Sequence, residues 1–201
     1  MYAKASVIVE NGQYFLQVGE KTLDPENPAD LPQIVANLSN PIFVRQSIEN
    51  PKTNWRVREE QATRTVGLLN RLSKKDLEII FDENKEIART LIHRGQVKET
   101  AHFLMGLPEL MQRKNLVHYG ALREMLWRGG ESVFLDEIIP ALSEIIQKDI
   151  LDKRNVAKVS GSSSYPEFEA RVDKIRAGWT IPTESVRPAE KQEIRQHTPQ
   201  S

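Results

Sequence analysis

Glu99-Thr100-Ala101-His102 sets a carboxylate and an imidazole three residues apart, the spacing that turns two ligands to one side of a helix in di-iron carboxylate bundles. Such a centre needs a second Glu-x-x-His pair and further inward carboxylates, and the chain has no second pair. His93, His118 and His197 have no partner at a ligand-like interval, so no metal is expected and His102 reads as an ordinary helix residue. Asp82-Glu83-Asn84-Lys85-Glu86 has the acidity of a calcium loop but lacks its sixth-position glycine and falls inside a helical pattern, which makes it a solvated helix face. The absence of cysteine excludes disulfides, thiolate metal sites and cysteine nucleophiles. No Gly-x-Ser-x-Gly elbow is present, and the glycines at 95, 106, 120, 129 and 130 fall at helix junctions or inside helices, not in a phosphate-binding loop. The expectation is a non-enzyme without cofactor.

The residues better placed for recognition are basic and aromatic. Arg113, Lys114, His118, Arg123 and Arg128 occur in or beside one expected helix, which follows a shorter one and a Gly106-Leu107-Pro108 turn. The layout is loosely helix-turn-helix. With Ala101 as the small residue of the first helix, the turn glycine arrives one place late, and Lys114 falls where an apolar residue is wanted. Arg56, Arg58, Arg64, Arg71, Lys74 and Lys75 extend the basic set, while Glu59 and Glu60 dilute it. Tyr119 and Trp127 accompany the basic helix and Trp179 sits near the end of the chain; such side chains anchor interfaces when exposed. Lys+Arg and Asp+Glu cancel at 28 each over 201 residues, so the whole-chain field offers no long-range attraction to nucleic acid or an anionic membrane. The leading reading is a non-catalytic interaction or adaptor protein that binds another protein or itself. The alternative is a nucleic-acid-binding regulator that uses residues 113–128.

The elements that must hold these residues follow from periodicity. Ser6–Val9 and Gln13–Val18 are β-rich runs joined at Asn11-Gly12, the dipeptide of a type I′ hairpin turn. Val7 and Val9 share one side of their strand, as do Tyr14, Leu16 and Val18. Thr22–Pro32, with three prolines, reads as a loop. Leu31–Leu38 forms a turn or two of helix, and Ile42–Ile48 reads as a third strand after Pro41. A helix from Thr53 or Asn54 to Leu72 carries Val57, Ala62, Val66, Leu69 and Leu72 as its stripe. Ser73 and Asp76 make a variant capping box that opens one long amphipathic helix to Arg94, with Leu77, Ile80, Phe81, Ile87, Ala88, Leu91 and Ile92 on one face and Gly95 at its close. Gln96–Met105 is shorter. The next helix starts at Pro108, runs to about Arg128 and ends at Gly129-Gly130. Val133–Leu151 is again apolar at helical spacing, kinked or split by Pro140.

Beyond Asn155 the composition shifts. Ser160-Gly161-Ser162-Ser163-Ser164 has linker character, and the remainder is rich in Pro, Gln, Glu, Arg and Thr. Within it Tyr165–Ile175 gathers Phe168, Val172 and Ile175 on one side of a short helix, which either folds on a partner or packs back on its own domain. The favoured reading is the second. The whole is an α+β chain: a β-rich region over 1–52, a body of about five helices over 53–155, and a Ser/Gly linker with a loosely ordered tail over 156–201. No run approaches the roughly 20 apolar residues of a membrane span, and the first residues lack a secretory pattern, so a cytoplasmic setting is expected.

Overall fold

Asn11 and Gly12 both take positive φ, 51° and 78°, as a two-residue type I′ turn requires. They join β1 (Ala5–Glu10) to β2 (Gln13–Val18), with Glu10 opposite Gln13 and Val7 opposite Leu16. In the computed structural model, the backbone is described for residues 4–95, 97–117, 119–160 and 166–179, and the side chains of these except 97, 119–122, 128, 129, 159, 160 and 166. The third strand is not Ile42–Ile48. It is β3 (Lys21–Leu23), cut from the start of the expected loop and paired antiparallel to β2 through Leu16 to Leu23 and Val18 to Lys21. Gly19, with φ 62°, occupies the first central position of that connection, where a type II′ turn places its glycine.

α1 (Leu31–Leu38) follows, and then the segment expected as a strand turns helical as α2 (Pro41–Phe43), continued by a π-helical turn over Val44–Ile48. The local start signal explains this outcome. Asn40 caps the helix by accepting a hydrogen bond from the Ile42 amide at 2.9 Å, and Pro41 takes the tolerated first position. Phe43, Val44, Ser47 and Ile48 are then buried at helical rather than alternating intervals, which overrides the β preference of the Ile-Phe-Val run.

α3 (Trp55–Leu69) lies on the sheet, capped by the Asn54 side chain, which accepts from the Val57 amide at 3.1 Å. Val57 stands partly exposed near its start, while Ala62, Val66 and Leu69 face inward as the stripe required. β1 is an edge strand, and Gln61 of α3 covers it. The Val7 amide donates to Gln61 Oε1 and Gln61 Nε2 donates back to the Val7 carbonyl, both at 3.3 Å. Beside it the Tyr14 ring rests against Gly67, where a Cβ would lie 2.3 Å from the ring. Overpacking of that severity outweighs the gain of about 1 kcal/mol in helix propensity. Gly67→Ala therefore lowers the urea midpoint of unfolding, whereas in a Tyr14→Ala background the same change raises it.

The long helix expected from Ser73 to Arg94 is two: α4 (Lys74–Glu83) and α5 (Lys85–Arg94). The variant capping box forms, since the Ser73 hydroxyl accepts from the Asp76 amide at 3.2 Å and donates to the Asp76 carboxylate at 2.6 Å. The break falls at Asn84, part of the acidic run expected on the surface. Its side chain is fully buried, and Nδ2 donates to the carbonyls of Leu38 at 2.8 Å and Asn40 at 3.4 Å, satisfying the end of α1. Asn84→Ala strands the buried Leu38 carbonyl and is expected to cost about 1–3 kcal/mol in chemical denaturation.

α6 (Val97–Met105) and α7 (Glu109–Leu116) meet at the expected Gly106-Leu107-Pro108 break, where Gln112 Nε2 donates to the Met105 and Leu107 carbonyls at 2.6 and 2.7 Å. α8 (Tyr119–Ser132) contains Gly130 at φ 77° and ψ 165°, so regular helix stops at the predicted glycines. A π-helical segment over Val133–Ile138, α9 (Ile139–Ala141) and α10 (Glu144–Ile150) replace the expected apolar helix. Pro140 sits in the first turn of α9, and the split falls just after it, at Leu142 and Ser143.

α11 (Lys153–Ser160) reaches into the start of the Ser/Gly run; the rest of that run and Tyr165 (161–165) lie outside the described residues, as do 180–201. α12 (Pro166–Ala177) packs back on the body. Phe168 and Val172 are fully buried, and the Phe168 ring meets Phe134 at 6.3 Å between centroids. Arg171 donates to Glu131 at 2.8 Å and Asp136 at 2.6 Å, and these hydrogen bonds, the one to Asp136 first, raise its pKa above the usual value. A continuous apolar core runs from Val7, Leu16 and Leu23 of the sheet through Leu69, Ile87 and Leu104 to Phe168 and Val172. Among the described residues no helix is long and apolar enough to cross a membrane.

Candidate functional site

The helix expected to carry all the basic residues is divided. α7 ends at Val117, where the Asn115 side chain bonds back to the Met111 carbonyl at 2.8 Å and competes with the helical ladder, and α8 begins at Tyr119. Arg113 and Lys114 thus belong to one helix, Arg123, Trp127 and Arg128 to the next. Arg113 Nε pairs with Asp149 of α10 at 2.6 Å, and Lys114 Nζ pairs with Asp82 of α4 at 2.8 Å. Both cations brace neighbouring helices. The side chains of Tyr119 and Arg128, with His118 and His197, lie outside the described residues.

Arg123 and Trp127 are one turn apart on α8 and therefore share a side. Trp127 is 70% exposed, the most open large hydrophobic side chain of the described residues, and Arg123 projects beside it, 3.9 Å from the Glu124 carboxylate. Under them runs the seam between α5 and α8. His93 Nδ1 and Glu124 Oε2 are 2.7 Å apart, Glu124 is buried, and the imidazole lies nearly parallel to the Trp127 ring, 17° off plane at 6.4 Å. The buried carboxylate holds the imidazole, and the imidazole edge lies beside an indole that solvent reaches. Arg89, one turn before His93 on α5, is exposed as well.

Sequence reasoning selected Arg123 and Trp127 and missed His93 and Glu124. A signal existed: Glu124 stands among Leu122, Met125 and Leu126, where a carboxylate calls for a buried partner. Trp179 is not an open anchor. Its Nε1 donates to Gln147 Oε1 at 3.2 Å and Lys148 sits 5.8 Å from the ring, so it fastens the end of the α12 region to α10. Trp55, 64% exposed with Arg56 over its ring, is a second open aromatic at the start of α3.

Glu99 and His102 are both exposed on α6, and no set of three His, Cys, Asp or Glu among the described residues is grouped to hold a metal ion. A hollow of about 350 Å³ is lined by Val117, Asp149, Asp152, Arg154, Asn155 and Lys158. Its carboxylates are engaged internally, Asp149 by Arg113 and Asp152 by Arg154. The Arg154 backbone amide first, and then its guanidinium, hold the Asp152 carboxyl below its usual pKa. A lowered folded-state pKa adds stability above the unfolded value that is lost as pH falls. The stability difference between the wild type and Asp152→Ala is therefore present at neutral pH and shrinks below about pH 4 in acid titrations of unfolding.

The open edge of the α5–α8 seam presents the most exposed large hydrophobic side chain of the described residues, Trp127, with an arginine one turn away. Comparison with models of protein families, with curated proteins and with solved structures gives no match to this chain.

Proposed function

We propose that the protein acts by binding another protein through the α5–α8 face, with Trp127 as the anchor and Arg123 as a flanking cation. The observation that carries this reading is the exposed Trp127 ring, beside His93 and its buried partner Glu124. Trp and Arg are over-represented among residues that dominate interface energy. The partner supplies an apolar pocket for the ring and an acceptor or carboxylate for the arginine.

Nucleic-acid binding is the second reading. It uses the same pair, Trp127 as a stacking surface and Arg123 as a phosphate contact. Arg113 and Lys114 support it less, because each is already paired with an aspartate on another helix. Gentle capture of the tagged full chain from its host, with and without nuclease, separates the two. A protein partner that survives nuclease and is lost with Trp127→Ala supports the first reading; nuclease-sensitive recovery with a steep fall in affinity as salt rises supports the second.

A further inference from the structure

Asn11, at the tip of the β1–β2 hairpin, is one of ten asparagines, and it alone precedes glycine. Asn27, Asn40 and Asn50 precede proline, whose nitrogen carries no hydrogen, and the other six precede residues whose side chains crowd the following amide. Glu10, Asn11, Gly12 and Gln13 are all exposed, and no atom lies within 4 Å of the place a Cβ on Gly12 would take. Among the described residues the Asn11 carboxamide has no hydrogen-bond partner, whereas those of Asn37, Asn54, Asn84, Asn115 and Asn155 are each held by one. Opening of the two-residue tip therefore moves no buried side chain and breaks no side-chain hydrogen bond.

We propose that Asn11 is a site of spontaneous deamidation, with Gly12 supplying the attacking nitrogen and water completing the reaction. When the tip opens, the Gly12 backbone nitrogen gives up its proton to base and bonds to Cγ of Asn11. The C–N bond of the carboxamide breaks and ammonia leaves, closing a five-membered succinimide. Water then adds to one of the two ring carbonyls and the ring C–N bond at that carbonyl breaks. Opening at the backbone carbonyl gives isoaspartate, and opening at Cγ gives aspartate. Either product carries a carboxylate where the amide stood, one added negative charge on a chain whose formal net charge is +0. The hairpin separates the two products. Asp-Gly is a type I′ dipeptide as Asn-Gly is, so the aspartyl form keeps Glu10 opposite Gln13. In the isoaspartyl form the main chain runs through Cβ, which lengthens the two-residue loop by one carbon and breaks that pairing at the tip.

Incubation of the full chain at mildly alkaline pH, followed by ion exchange and peptide mapping by mass spectrometry, tests the assignment. The expected result is an acidic form that grows with time and with pH and maps to residue 11 as two products of equal mass that chromatography separates. Asn11→Gly removes the carboxamide and leaves Gly-Gly, which also suits a type I′ turn, so the acidic form is expected to be lost while the fold is kept. Asn11→Asp supplies the aspartyl product directly, and its urea midpoint is expected to match that of the unmodified chain. A wild-type chain that gains no acidic form, an acidic form of equal yield in Asn11→Gly, or one that maps to another asparagine overturns the proposal. A midpoint for Asn11→Asp well below that of the unmodified chain overturns the retention of the aspartyl form.

Discussion

Phe134→Ala is expected to lower the free energy of unfolding by about 3–5 kcal/mol, the range for truncating a buried phenylalanine, read by chemical denaturation of the full chain. The side chain is fully buried in the π-helical segment after the Gly130 break, and it is the ring against which Phe168 packs. Its loss leaves a cavity beneath α12 and removes the aromatic pair. The damage is therefore largest at the C-terminal helix, and limited proteolysis is expected to cut within residues 166–179 before the sheet or α3. Uniform loss of protection across the chain contradicts the assigned packing of α12.

Trp127→Ala has the opposite character. The ring is 70% exposed, so its removal changes stability by less than about 0.5 kcal/mol. At the centre of an interface the same truncation costs about 2 kcal/mol or more, a loss of roughly 30-fold in affinity. A titration of the captured partner against both chains measures this ratio, and circular dichroism confirms that the fold is unchanged. Arg123→Glu reverses the flanking charge and is expected to weaken the same complex mainly through slower association.

The elements legible in the sequence are those fixed within a few residues. Asn11-Gly12 permits the positive φ values of its turn almost alone, and Ser73 with Asp76 closes a cap inside one helical turn. The segregated α+β order, the Gly106–Pro108 break, the stop at Gly130 and the helix containing Phe168 and Val172 are of the same local kind. β3 escaped because a three-residue strand with Lys21 and Thr22 exposed leaves no alternating pattern to detect. Ile42–Ile48 was a contest between β-branched composition and the Asn40-Pro41 start signal, and the cap prevailed.

Other features depend on partners remote in sequence. Asn84 breaks the long helix because the carbonyls of Leu38 and Asn40 wait for its amide, 46 and 44 residues away. His93 and Glu124 are 31 residues apart, and neither reveals the other. The division of the basic helix at Val117 separates Arg113 and Lys114 from Arg123 and Trp127, and the aspartates that pair with the first two lie on α10 and α4. The proposed contact surface draws its residues from α5 and α8 together, so it depends on how the helices pack.

The central claim is that the α5–α8 face meets a protein, and photo-crosslinking tests it at the residue level. A photoreactive amino acid at position 123 of the full chain, activated in the host cell, is expected to give a discrete covalent adduct with a protein that disappears when Trp127→Ala is added. The same probe at the exposed Glu78 of α4 is expected to give none. An adduct with nucleic acid, or equal labelling from both positions regardless of Trp127, contradicts the assignment.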